Sequence, residues 1–193
     1  MPIPDFDHNL VLPPHVGDHA VSRTNMSPYP CTSLELCAKL GASLERQRIL
    51  RGFFELRDAL RRFGLLGFQW LDGSFTEDKE NSSDLTRKGP PGDIDVVTFY
   101  YPPAVLPSPM PADLAAILPI IQNRKATRDR FHVDHILVPL TSAPEFLVDD
   151  VRYWFGLFSH RRGDDVWKGM LQLPLDTATD DTLAIGTING GTP

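Results

Sequence analysis

Two neighbouring segments have the composition of β-strands, and they restrict this chain to folds that contain a sheet. The first, "LLGFQWLDGS", is apolar and ends in the small-residue turn Gly73-Ser74. The second, "DIDVVTFYY", begins at Asp93 and is rich in β-branched and aromatic residues, as strands are. Because consecutive strands commonly pair, we expect an antiparallel pair that places the Gly-Ser turn beside Asp93 and Asp95.

Helical patterns precede these strands. Thr32 stands three positions before Glu35, which is the capping-box spacing, and predicts a short helix over 33–40. Apolar residues then recur at steps of three and four and predict a second helix from about Ser43 to Phe63.

More elements follow the strand pair. The segments "ADLAAILPIIQN" and "DDVRYWFGLFSH" are expected to form helices, the first kinked at Pro119. A basic connection is expected to run into a third strand over about Phe131 to Leu140, and "VWKGMLQLPL" predicts a fourth. This arrangement predicts an α+β fold with a mixed β-sheet flanked by helices.

The domain organisation follows from length and composition. At 193 residues the chain fits one domain. Residues 1–30 are rich in proline and predict an extended arm on the surface, and a single domain is expected over 31–175. The segment 176–193 is acidic and then glycine-rich, so we expect a tail with at most one weak strand and a frayed end.

Charge and hydrophobicity limit the partners. The formal net charge of -6 argues against a protein that coats duplex DNA. The sequence has no run of about 18 apolar residues that could form a membrane span. Its start, "MPIPDFDHNL", lacks the pattern of a signal peptide. We therefore expect a cytoplasmic protein without a membrane partner.

Three aspartates are candidates for one site. Side chains alternate along a strand, so Asp93 and Asp95 are expected to share a face. The segment "HVDHILV" supplies Asp134, expected to share its face with His132, while His135 points the other way. Convergent carboxylates repel one another, and the usual neutraliser of an all-oxygen cluster is Mg²⁺ or Mn²⁺.

This order of motifs resembles the nucleotidyltransferase superfamily of the polymerase-beta type. The family pattern is a strand ending in Gly-Ser, an Asp-x-Asp at the start of the next strand and a third Asp on a later strand. Here it corresponds to Gly73-Ser74, Asp93-Ile94-Asp95 and Asp134, and the resemblance covers roughly residues 43 to 140.

The larger layout is similar to an uncharacterised family of bacterial nucleotidyltransferase-like proteins. The segments that carry this second resemblance are the proline-rich arm, "LDGSFTEDK", "PGDIDVV", "VDHILVPL" and "YWFGLF…KGML". The chain departs from the active-enzyme pattern in its longer loop over 75–92 and in Pro91-Gly92, which replace the small or serine residue expected before Asp-x-Asp.

The resemblance implies transfer of a nucleoside monophosphate from a nucleoside triphosphate to an acceptor, which is an RNA, a protein or a small molecule. It implies that Asp93 and Asp95 hold two Mg²⁺ or Mn²⁺ ions and that Asp134 completes one metal shell as a third catalytic residue. It also implies that Gly73 and Ser74 bind the outer phosphates of the nucleotide.

Two other functions stay open. The first is a non-catalytic nucleotide-binding or regulatory module with the same fold, for which family analogy suggests a toxin-antitoxin or phage-defence setting. The second is a glycosyltransferase-type metal and sugar-nucleotide site, which the short chain and the Gly-Ser element disfavour. Two basic groups, Arg124 to Arg130 and the set Arg161, Arg162 and Lys168, are solvated surface or contacts for phosphate or RNA.

Overall fold

The protein is an α+β fold built on a mixed five-stranded sheet with helices on both faces, as the sequence predicts. The computed structural model describes residues 3–17 and 22–190. Residues 1–2 and 18–21 of the predicted arm and 191–193 of the predicted tail lie outside the described residues. The strands, which lie in the order β1-β5-β2-β3-β4, are β1 Tyr29–Pro30, β2 Leu66–Asp72, β3 Ile94–Tyr101, β4 Val133–Pro139 and β5 Leu171–Pro174.

The predicted antiparallel pair of the two central strands is confirmed. β2 and β3 pair in antiparallel fashion over their whole length, so that Asp72 lies opposite Asp95. β4 joins the other edge of β3 in parallel, β5 pairs antiparallel with β2, and β1 pairs parallel with β5. This register brings the C-terminal end of β2 and the N-terminal ends of β3 and β4 together at the same end of the sheet.

Six helices occur in the described residues: α1 Ser33–Leu40, α2 Leu44–Arg62, α3 Ala112–Ile121, α4 Arg124–Phe131, α5 Pro144–Phe158 and α6 Ala178–Gly190. Both predictions for the N-terminal helices are confirmed. The Thr32 side chain accepts from the Glu35 backbone N–H while the Glu35 carboxylate accepts from the Thr32 backbone N–H. Pro119 lies inside α3.

The sheet separates two apolar layers. On one face Ile94, Val96 and Val133 are buried in the larger core with residues of α1, α2 and α6. On the other face Val97 and Val138 are buried under α5. Successive residues of β3 therefore alternate between two cores, and Asp95 belongs to the face that α5 covers.

The prediction that residues 1–30 lie on the surface is wrong for part of that arm. Val11, Leu12 and Tyr29 are buried, and Tyr29 and Pro30 form the edge strand β1. A segment without periodicity thus contributes to the core through isolated apolar side chains, which a pattern search over neighbouring positions does not detect.

The expected third strand begins two residues later than predicted, because the basic connection before it is the helix α4, which ends at Phe131 and is capped by His132. Asn123 caps this helix through the N–H of Ala126, and its last residue, Phe131, is buried. The helix packs closely on α2 at Gly52, where a β-carbon would lie 1.9 Å from the Phe131 carbonyl oxygen. His132 is the left-handed cap, with φ 57°, so the prediction that it shares the strand face of Asp134 is wrong.

The predicted tail also forms regular structure, and the expectation of at most a weak strand is wrong. α6 packs on α1 and α2, and its Asp181 is buried. The Asp181 carboxylate accepts from Arg57 at 2.8 Å, from Arg61 at 2.5 Å and from the Ser33 hydroxyl at 2.5 Å. Within 3–17 and 22–190, no helix combines the length and the apolar character needed to cross a membrane.

Candidate functional site

Three aspartates form a row across three neighbouring strands. Asp72 is paired with Asp95, and Asp95 with Asp134. Directly paired residues project from the same face of a sheet, so the three side chains are neighbours. Asp72 was not among the predicted site residues, although it stands directly before the Gly-Ser turn in "LDGS".

The predicted site residues all line one pocket of about 420 Å³. They are Asp93, Asp95 and Asp134 together with Gly73 and Ser74. The structure therefore brings together residues that are up to 61 positions apart in the chain, which is the separation of Gly73 and Asp134.

The turn at Gly73 lies against Asp95. Gly73 has φ +82°, and a β-carbon built on it would lie 2.6 Å from Asp95 Oδ2. Both the backbone conformation and the lack of space demand glycine at this position. The close approach leaves the carboxylate of Asp95 in direct contact with the turn backbone.

Asp95 carries an unbalanced charge. Among the described residues its carboxylate has no hydrogen-bond or ion-pair partner. Burial, together with the neighbouring carboxylates of Asp93, Asp72 and Asp134, raises the pKa of Asp95 to about 6, although the charge of Arg162 acts in the opposite direction. A cation in this pocket would relieve that repulsion.

Two arginines of α4 neutralise the other carboxylates. Arg124 donates from Nη2 to Asp134 Oδ2 at 2.7 Å, and Arg128 contacts both Asp134 and Asp93, the latter from Nε at 2.8 Å. Burial raises the pKa of Asp134, but the two guanidinium groups outweigh it and hold that pKa below its ordinary value. Both arginine side chains are about half exposed, at 57% and 50%.

A buried lysine holds the start of the turn. Lys168 Nζ lies 3.0 Å from Asp72 Oδ1 and 3.0 Å from Glu77 Oε1, and it donates to the Gly73 carbonyl at 3.1 Å. Burial lowers the pKa of Lys168, but the two carboxylates outweigh it and raise the pKa. Lys168 is therefore a charged ammonium inside the site.

Further basic side chains line the pocket around the acidic row. Arg87 and Arg161 are both paired with Asp164, at 3.0 Å and 2.6 Å. Lys79 and Arg162 have no carboxylate within 4.0 Å in the part of the chain that the structure describes. From the sequence, Arg161 and Arg162 could be either solvated surface or phosphate contacts. The structure places both of them at the pocket.

The histidines near Asp134 do not join the pocket. His135 is buried on the opposite face, as predicted, and its Nε2 is 2.8 Å from Thr98 Oγ1. Burial lowers the pKa of His135 to about 4, so it is neutral. His132 is hydrogen-bonded to Arg48.

Carboxylate oxygens of this type are the ligands that Mg²⁺ and Mn²⁺ prefer. Apart from Asp72 and Glu77, which are paired with Lys168, the carboxylate donors that line the pocket are Asp93, Asp95 and Asp134. In residues 3–17 and 22–190, no three histidine, cysteine, aspartate or glutamate side chains are arranged as a ready metal site. Two of the three donors are held by arginine in this structure.

Comparison with known proteins places the chain in a family. Neither a search of curated proteins nor a search of solved structures found a match. The sequence profile of one family, described as a family of unknown function (DUF6932), matches residues 4–174. Since this match spans most of the chain and includes every residue of the pocket, the protein belongs to the DUF6932 family.

Proposed function

We propose that the protein is a metal-dependent nucleotidyltransferase that transfers a nucleoside monophosphate from a nucleoside triphosphate to an acceptor hydroxyl. The observation that carries this proposal is the convergence of the Gly73-Ser74 turn with Asp95 and Asp134 in one pocket. The nucleotidyltransferase-like fold is part of the same proposal. It is supported by the order of the strand with Gly-Ser, the strand with Asp95 and the parallel strand with Asp134.

The residues present fit a divalent cation. Asp95 has no ion-pair partner within 4.0 Å among the described residues, and three neighbouring carboxylates raise its pKa, so a hard cation would offset the excess negative charge. Asp93 and Asp95 would hold the ion, with Asp134 added after its arginines turn away. When bound, Mg²⁺ or Mn²⁺ neutralises charge on the triphosphate and on the reacting phosphorus oxygens.

The basic side chains supply the complementary part of the site. Lys79 and Arg162 lack carboxylate partners in the described residues and line the same pocket as the acidic row. They are suited to phosphate oxygens, which Lys and Arg bind as strong donors. The Ser74 hydroxyl, which lines the same pocket, adds a hydrogen-bond donor. The chain thereby combines groups for a cation with groups for a polyphosphate.

The proposal is tested by incubating the protein with each α-labelled nucleoside triphosphate, Mg²⁺ or Mn²⁺, and pools of RNA, protein and small-molecule acceptors. We expect pyrophosphate release and label transfer that fall by at least about a hundredfold in Asp95→Asn, because electrostatic positioning carries most of the catalysis in such reactions. Asp129→Asn is the matched control, because Asp129 is an exposed carboxylate of α4 that pairs with Lys125.

One observation favours a second function. Arg124 and Arg128 form ion pairs with Asp134, so this carboxylate is neutralised without a metal ion. A non-catalytic nucleotide-binding module would require such an arrangement. Saturable nucleotide binding that depends on Asp95, with no pyrophosphate release from any triphosphate, would select the module. Absence of both binding and turnover would overturn both functions.

A further inference from the structure

Lys168 is a buried lysine that lines the pocket. Its side chain is 2% exposed, yet it carries a charge. The ammonium joins three groups of one turn: the side chains of Asp72 and Glu77 and the carbonyl of Gly73. All three lie on the segment that leads from β2 into the pocket.

The backbone of Lys168 is itself anchored. Its N–H donates to the Ser159 carbonyl at 2.8 Å, at the end of α5, and the following Gly169 donates to the Leu12 carbonyl at 2.7 Å. The ammonium therefore reaches the turn from a support that is tied to both α5 and the N-terminal arm. A support of this kind fixes the position of whatever it binds.

A second buried cation holds the other end of the same turn. Arg46 of α2 donates to the carbonyls of Phe75 at 2.7 Å and Glu77 at 2.6 Å. Of these two cations, Lys168 is the one that contacts the part of the turn nearest Asp95, where it shares the Gly73 carbonyl with the Thr76 hydroxyl. Gly73 is also the residue whose backbone approaches Asp95.

We propose that Lys168 is a positioning residue that holds the Gly73-Ser74 turn against Asp95, so that the turn and the carboxylate bind their ligands together. This inference rests on the proposed function for the identity of those ligands, a divalent cation and a nucleotide. The alternative is that Lys168 only balances the charge of the buried Asp72. The two roles differ in what happens when Asp72 is neutralised at the same time.

The test compares the wild-type protein with Lys168→Met and with the double variant Lys168→Met/Asp72→Asn. The double variant leaves no uncompensated charge at the buried Asp72 position, which protects folding if the single variant unfolds, and the remaining partner, Glu77, is partly exposed at 13%. Lys125→Met is the matched control, because Lys125 is an exposed lysine whose side chain is 84% accessible. Folding of each variant is monitored by its urea denaturation midpoint.

Two readouts are followed. Amide hydrogen exchange over residues 73–77 is expected to accelerate about tenfold or more in both Lys168 variants, with no change in β3 and α2. Affinity for Mn²⁺, measured by its electron paramagnetic resonance signal, is expected to fall about tenfold in both. The control is expected to match the wild type in exchange and in Mn²⁺ affinity.

Recovery of wild-type exchange and Mn²⁺ affinity in the double variant would overturn the inference, since Lys168 would then serve only to balance Asp72. Faster exchange with unchanged Mn²⁺ affinity would overturn it as well. If the wild-type protein binds no Mn²⁺, the proposed function fails on that result, whereas the exchange comparison still decides whether Lys168 holds the turn.

Discussion

Asp95 lies directly opposite Asp134 in the parallel pair of β3 and β4, yet the two carboxylates have opposite electrostatic surroundings. Asp134 forms ion pairs with Arg124 and Arg128, whereas Asp95 has no ion-pair partner within 4.0 Å among the described residues. Neighbouring positions in one sheet thus combine a satisfied carboxylate with one that is short of positive charge.

Removing the charge of Asp95 is expected to stabilise the protein. The raised pKa of about 6 means that the folded state holds a proton more tightly than the unfolded chain, so above that pH the ionised carboxylate costs stability. Asp95→Asn is therefore expected to raise the free energy of unfolding by roughly 1–3 kcal/mol at pH 7.5. Below about pH 4 the Asp95 side chain of the wild type is neutral, as the asparagine of the variant is, and the gain in stability is expected to disappear.

The measurement is urea denaturation of wild type and variant at pH 7.5 and pH 4. Asp129→Asn, at an exposed carboxylate, is expected to change the midpoint little at either pH. An equal effect of Asp95→Asn at both pH values would show that the gain does not come from the ionised carboxylate.

Arg128 is expected to compete with cations for the acidic row. Its guanidinium contacts both Asp93 and Asp134, so Arg128→Gln should free oxygens of both carboxylates. We expect the affinity for Mn²⁺ to rise several-fold, because the metal no longer has to displace a bound charge. Isothermal titration calorimetry of Mn²⁺ into wild type and variant measures the change.

The control for Arg128 is Arg130→Gln on the same helix, where the arginine pairs with Glu55 outside the pocket. It is expected to leave Mn²⁺ affinity unchanged. Weaker Mn²⁺ binding in Arg128→Gln than in the wild type would mean that the arginine organises the site and does not compete for it.

Gly73→Ala is expected to damage the pocket from the side of the turn. The alanine would have to adopt φ +82° and place its β-carbon 2.6 Å from Asp95 Oδ2. We expect a loss of at least about 1 kcal/mol of stability from the backbone conformation alone. Displacement of Asp95 should reduce nucleotide or Mn²⁺ binding as well. Gly92→Ala, in the same loop region with nothing within 4 Å of its β-carbon, should match the wild type in both stability and binding.

α6 is expected to be essential for the stability of the fold. Asp181 is buried against Arg57, which is itself fully buried. Asp181→Ala leaves that arginine uncompensated and is expected to cost about 3–5 kcal/mol, measured as a lower urea midpoint. Asp176→Ala, at an exposed residue just before the helix, is expected to have little effect. Equal stability of the two variants would show that α6 is as dispensable as the predicted tail.

The local elements were predictable because their signals are local. The Thr32-Glu35 capping box, the stripe of α2 and the strands on either side of the 75–92 loop each depend on residues a few positions apart. The elements that were missed depend on distant contacts. α4 packs against α2 at Gly52, and α6 is held by Arg57, so neither helix could be recognised from its own residues.

The candidate site divides in the same way. The order of motifs was enough to predict that Gly73-Ser74, Asp93 and Asp95 lie together, because a tight strand pair follows from neighbouring segments. The resemblance implied that Asp134 joins them from a later strand, and the structure shows that this strand pairs in parallel with β3. The charge state of the site was not predictable at all, since it depends on which side chains from other elements reach it.

By itself the sequence determined the fold class, the two central strands and the identity of the carboxylates at their ends, since residue type and alternation are properties of the chain. Only the tertiary structure decided that Asp72 joins the row, that arginines of α4 neutralise Asp134, and that Lys168 arrives from 95 positions away to hold Gly73. The physical reason is that electrostatic interaction depends on distance and burial, and both are set by packing.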